Sequence, residues 1–127
     1  MGLSVGIITF NEEKRLERTL ESVKSFANEV IIVDSGSTDK THEIAQKFSA
    51  NFFVESWKGY GLQKNSVIDK CKEDWILLID ADEVISPELK NKIIEIVNQS
   101  KDDVYEVNFT SVCFGKKIKH GGWSGSY

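Results

Sequence analysis

Asp80 and Asp82, separated by Ala81 and followed by Glu83, come directly after the apolar run 75–79 (WILLI). In extended backbone, side chains two residues apart point the same way, so the two carboxylates share a direction. Ala81 adds no bulk against an approaching phosphate. Such a pair suits Mg2+ or Mn2+ bridging to a diphosphate, because these hard cations are commonly held by one or two carboxylates together with phosphate oxygens. An Asp-x-Asp taken alone is often a solvated loop acid or a helix cap. Position distinguishes this one: it follows the most apolar run of the chain, and another acid, Asp34, follows a second such run, 30–33 (VIIV). Stability alone offers no reason to gather like charges on one rim.

Other candidates occupy equivalent places. Thr9, Asn11 and Glu12 come at the end of the apolar stretch 3–9 (LSVGIIT), and the turn-forming residues 35–39 (SGSTD) follow Asp34. Asp39 has two readings of similar weight, as the N-cap of a following helix or as a ligand contact, and Asn11 has the same ambiguity. Lys64 is either a solvated helix residue or, near a helix start after a Gly-containing loop, a cation for phosphate. His42 and His120 have no partner spacing that suggests zinc and read as structural or surface residues.

These residues need a scaffold that brings strand ends together. Residues 3–9 form a short apolar strand, and 12–26 carry Leu16, Leu20 and Val23 at helical spacing, with Asn11 available as N-cap. Strand 30–33 and a helix over 41–48 repeat the pattern; a third strand over 51–54 and a weaker helix over about 62–71 extend it. The run 75–79 is apolar throughout, which predicts a central strand covered on both faces. Ser86-Pro87 starts a helix whose buried stripe is Leu89, Ile93, Ile96 and Val97. Tyr105, Val107 and Phe109 alternate with polar residues, predicting a strand with one wet face, antiparallel at an edge. The β-α repetition predicts an α/β domain over residues 1–127, with a mostly parallel sheet and helices on both faces. In such sheets ligands bind outside the carboxyl ends of the strands, where the candidates above lie.

The motifs 9–12 (TFNE), 33–41 (VDSGSTDKT), 61–65 (GLQKN) and 78–83 (LIDADE), in this order and spacing, resemble the successive signatures of family 2 glycosyltransferases with the GT-A fold, a Rossmann-like architecture. The likeness covers residues 3–99. It implies a UDP-sugar donor and inverting transfer to a glycan or lipid-linked acceptor, with Asp82 on the metal and Asp80 on the ribose or donor sugar and close to the metal. It places Asp34 on uracil or ribose, Lys64 on base or phosphates, and Thr9 and Glu12 in the base pocket. Where many relatives have Asp-Asp, this chain has Asp34-Ser35, implying fewer base contacts. Residues 56–65 and 122–127 look like bacterial lipopolysaccharide-core glycosyltransferases. The family's catalytic base lies beyond the metal motif, and no carboxylate follows Phe109, so the base is expected beyond Tyr127; the Gly- and Ser-rich end reads as a chain cut short, with the acceptor half missing.

Composition fits one domain. The 127 residues, 40% of them hydrophobic, are enough for one core. A net charge of −4 argues against a nucleic-acid partner, whose phosphates would demand a basic face. Cys71 and Cys113 lack metal-ligand spacing and suit a reducing compartment. No leader or membrane-spanning run is apparent, so the expected location is the cytoplasm, with peripheral association at the inner face of the membrane in a full-length protein. Two alternatives remain. A sugar-1-phosphate nucleotidyltransferase would carry a Gly-rich, Arg/Lys-containing loop where Phe10-Asn11-Glu12-Glu13 stands. A nucleotide-binding module without transferase activity would differ only in turnover.

Overall fold

The computed structural model describes residues 2–99, the backbone of 106–109, and residues 112–116. Tyr105, His120, Trp123 and Tyr127, on which some of the expectations fall, lie outside the described residues. In chain order the elements are β1 (Leu3–Thr9), α1 (Leu16–Val23), β2 (Glu29–Asp34), α2 (Thr41–Lys47), β3 (Asn51–Val54), α3 (Tyr60–Lys70), β4 (Trp75–Asp80), α4 (Pro87–Gln99), β5 (Glu106–Phe109) and β6 (Val112–Lys116).

Among the described residues six strands form one sheet in the order β3-β2-β1-β4-β6-β5. The first four are mutually parallel, and β6 and β5 are antiparallel to their neighbours. β4 is interior, as its unbroken apolar run demands, and β5 takes the antiparallel edge. Strand β6 was not anticipated. Its five residues include Gly115 and end at Lys116, so too little alternation exists to mark a strand; non-local pairing with β4 and β5 creates it.

The period-2 alternation of buried strands sends side chains to both faces. Leu3, Val5, Ile7, Ile32, Trp75, Leu77 and Ile79 pack with Leu16, Leu20 and Val23 of α1, Ala45 of α2, and Ile93 and Val97 of α4. Ile31, Val33, Ile76 and Leu78 face the other way, onto Val67 and Ile68 of α3. Gly6 lets α3 come close to β1: a Cβ there would lie 2.4 Å from Val67 Cγ1 and 2.8 Å from Leu78 Cδ2. The helices thus cover both faces of the sheet. α4 starts as its sequence requires, with Pro87 in the first turn and the Ser86 hydroxyl oxygen accepting from Leu89 N–H at 3.1 Å.

Register brings the functional ends level. Thr9 pairs with Asp34, Ile8 with Asp80, and Asp34 with Val54, so β1 to β4 all terminate on one rim.

Candidate functional site

Asp34, last residue of β2, is buried. Its Oδ1 accepts from the Thr9 and Ser37 hydroxyls, each at 2.6 Å; its Oδ2 accepts from the N–H groups of Gly36 (2.8 Å) and Ser37 (2.6 Å). Gly36 makes the turn possible with φ +105°. A carboxylate offers about four acceptor positions, and all are taken. Asp34 thereby ties β1 to the 35–38 loop, and its neighbour Ser35 lines the cleft.

Asn11 and Asp39 fasten that loop to the chain leaving β1. Asn11, with φ +53°, donates its N–H to Ser37 Oγ (2.7 Å) and accepts from Thr38 N–H (2.9 Å). Asp39 accepts from the N–H and hydroxyl of Thr41 and from Glu13 N–H, and these contacts hold its carboxyl below the ordinary range despite the opposing effect of desolvation. Both side chains are used in holding backbone. Asn11 does not cap α1 as expected: residues 11–13 are tied across to 37–41, Glu12 N–H included (to Thr41 Oγ1, 2.8 Å), and the helix cannot begin until Leu16. Asp39 bonds to Thr41 at the start of α2, but the N-cap position is held by Lys40, so Asp39 is not the N-cap that the sequence suggests.

Beyond β4, Glu83 N–H donates to Asp80 carbonyl oxygen (3.0 Å) and closes a turn that gathers three carboxylates. One carboxylate oxygen from each of Asp80, Asp82 and Glu83 lies within 4.8 Å of the others. Asp80 is half-buried and its carboxyl is raised above the usual range; burial contributes most, Lys64 opposes it, and the charges of Asp82 and Glu83 add to it. Lys64, on α3, thus acts on the acidic loop from the second face of the sheet, and Asp82 stands exposed at the mouth. In the sequence Glu83 stands out only as part of the acidic run 80–83.

Helix α1 clamps this turn. The buried Thr19 hydroxyl donates to Ala81 carbonyl oxygen at 2.7 Å, and Ser22 Oγ accepts from Ile85 N–H at 3.0 Å. The backbone bearing the aspartates is fixed between them, at Ala81, and again beyond them, at Ile85.

A cleft of about 650 Å³ opens over the rim. Thr9, Glu12, Asp80 and Asp82 line it with Ser35 of the 35–39 turn, joined by three residues given no role from sequence: Arg15, Trp57 and Tyr60. Arg15 pairs with Glu12 through Nε at 3.1 Å and a terminal nitrogen at 3.0 Å. Lys64 borders an adjoining, smaller pocket that shares Asp80 and Ile8. His42 stacks on Phe52 with ring centroids 4.3 Å apart, in keeping with its structural reading, and Cys71 and Cys113 are not joined in a disulfide.

A family model described as Glycosyl transferase family 2 matches residues 4–123. Among sequence relatives, an uncharacterized glycosyltransferase of Rickettsia bellii is 50% identical over 103 residues, covering 81% of this chain and 35% of the relative. The lipopolysaccharide core biosynthesis glycosyltransferase LpsC of Rhizobium meliloti is 37% identical over 107 residues, covering 80% of this chain and 39% of LpsC. Among solved structures, S. aureus TarS 1-349 in complex with UDP aligns with a TM-score of 0.61 at 27% identity, over 77% of this chain and 32% of that 1-349 chain. The chain therefore spans only 35% to 39% of these two sequence relatives.

Proposed function

The chain belongs to glycosyl transferase family 2 and has the GT-A fold, and from that premise we propose that it forms the nucleotide-sugar end of an inverting, metal-assisted transferase. The donor in this proposal is a UDP-sugar and the acceptor a glycan or lipid-linked saccharide of the lipopolysaccharide-core type. One observation carries it: Thr9, Ser35, Asp80 and Asp82, from the ends of three adjacent parallel strands, line a single cleft. UDP in the TarS complex and the printed name of LpsC support the choice of donor and acceptor class.

The acidic loop fits a hard divalent cation. Asp80 and its neighbours hold like charges together at a cost in desolvation, and all three donors are carboxylate oxygens. Asp82 and Asp80 would hold Mg2+ or Mn2+, with Glu83 close by; when bound, the ion offsets the negative charge developing on the departing diphosphate. Arg15 and Lys64 add positive charge near the same phosphates. Thr9, Glu12 and Ser35 face the nucleoside, while Asp34, Asp39 and Asn11 shape the loops that present it. In the transfer, an acceptor hydroxyl loses its proton to a carboxylate base as its oxygen bonds to the anomeric carbon. The bond from that carbon to the diphosphate oxygen breaks, and the nucleoside diphosphate leaves. None of the cleft carboxylates is assigned as base: Asp80 and Asp82 are committed to the cation and Glu12 is paired with Arg15.

We propose that the reaction takes place in the cytoplasm, with peripheral association at the inner face of the membrane a feature of the full-length protein. Among the described residues no helix is long and apolar enough to cross a membrane. The test is to incubate the full-length protein with UDP-sugars and saccharide acceptors and to follow UDP release and the anomeric configuration of the product. Glycosylated acceptor with inverted configuration is expected. Formation of a nucleotide sugar and pyrophosphate from UTP and a sugar 1-phosphate would instead identify a nucleotidyltransferase, and donor binding with no transfer to any acceptor would leave a binding module.

A further inference from the structure

Trp57 and Tyr60 are 51% and 69% exposed, yet both line the cleft, and their rings meet edge to face with centroids 4.8 Å apart at 89°. Burial does not account for two such rings in open water. Nor are they carried on a loose segment. Glu55 N–H donates to Asp34 carbonyl oxygen (2.8 Å), and the Glu55 carboxylate takes Lys58 Nζ (2.8 Å), Lys70 Nζ (2.6 Å) and Ser66 Oγ (2.6 Å). The buried side chain of Gln63 accepts from Lys58 N–H and donates to Glu55 carbonyl oxygen, each at 3.3 Å. The backbone on both sides of Trp57 is held while the ring is left free, an arrangement suited to meeting a flat ligand without first ordering a loop.

The sheet order says which part of a ligand would meet them. The loop follows β3, three strands from β4 in the order β3-β2-β1-β4, so their axes are roughly 14 Å apart at ordinary strand spacing. A nucleotide whose diphosphate lies at the Asp80–Asp82 end has its nucleoside directed across Thr9 and Ser35, toward the β3 side. On this ground, and resting on the nucleotide-sugar reading above, we infer that Trp57 and Tyr60 form a stacking corner for the nucleobase, and that Glu55 and Gln63 are positioning residues for that corner. Base stacking on an aromatic face tolerates many bases, so the corner would supply affinity and placement, with discrimination left to polar groups such as Thr9 and Ser35.

The test uses the intact protein with uridine, UDP and inorganic pyrophosphate as probes, Mn2+ present throughout. Calorimetry should give a uridine and UDP affinity about 5- to 100-fold lower for Trp57→Ala, with a smaller loss for Tyr60→Ala and most of it recovered in Trp57→Phe, while pyrophosphate affinity stays within about twofold. Proton spectra of uridine should show its base protons moved upfield by ring currents in the parent and less so in Trp57→Ala. Unchanged uridine and UDP affinity in both alanine variants would overturn the stacking corner and leave the nucleotide reading intact. A parallel loss for pyrophosphate would also overturn the corner, as a general disturbance of the cleft. A parent that binds neither uridine nor UDP would overturn both.

Discussion

The Thr19 hydroxyl donates to the carbonyl oxygen of Ala81 at 2.7 Å, joining a buried residue of α1 to the peptide between the two aspartates. Thr19→Val keeps shape but orphans that carbonyl. Stability should fall by about 1–3 kcal/mol, and Mn2+-supported UDP binding by about 10-fold, the scale on which groups supporting metal ligands act. Thr19→Ser should retain most of both. Denaturant unfolding and calorimetry check these values; undiminished metal-supported binding in Thr19→Val would deny the clamp a part in the site.

Asp34 should matter to nucleoside binding without touching the nucleoside. Asp34→Ala leaves four donors without their acceptor, two of them backbone N–H groups. A loss of about 3 kcal/mol in stability is expected, since hydrogen bonds to a charged group are the costly ones to remove. Uridine affinity, measured without metal, should drop about 10-fold as Ser35 loses its fixed place. Equal uridine affinity in variant and parent would remove this loop from the site.

The acid limb of stability should report on Glu55. Contacts to Lys58, Lys70 and Ser66 hold its carboxyl at about 2, against an ordinary 4.5. The folded state therefore binds fewer protons than the unfolded state in this window. The stabilisation is complete above pH 4.5 and is lost as pH falls from there toward about 2. Urea unfolding across that range should give a shallower pH dependence for Glu55→Gln than for the parent. Identical slopes would mean that Glu55 is not held in this way.

Much of the scaffold is legible because local pattern and tertiary environment agree. The all-apolar 75–79 run forecasts β4 with both faces covered, and Leu16, Leu20 and Val23 do form the buried stripe of α1. The start of α1 is not legible, because bonds from residues 11–13 to the 37–41 loop, far away in sequence, override local helix signals. β6 escapes for the same reason, its pairing being set by β4 and β5. The acidic loop could be located from Asp80 and Asp82, since carboxylates after an apolar strand carry their own signal. Trp57, Tyr60 and Arg15 join it only through strand order and a turn. Asp34 carries the same signal, whereas its bonds to Thr9, Gly36 and Ser37 depend on strand pairing and the turn and could not be read from sequence.

In the proposed function the Asp80–Glu83 turn, whose three carboxylates lie together, supports nucleotide binding through a divalent cation, and the exposed Asp82 would be its principal holder. The direct measurement is calorimetric titration of UDP into parent and Asp82→Asn protein, with Mn2+ and again with chelator. Parent affinity should fall at least about 10-fold on chelation, Asp82→Asn should match the chelated parent whether or not Mn2+ is present, and uridine affinity should be the same in both proteins. If chelation leaves parent binding unchanged, or Asp82→Asn retains the full metal-supported affinity, the assigned role of this turn is wrong.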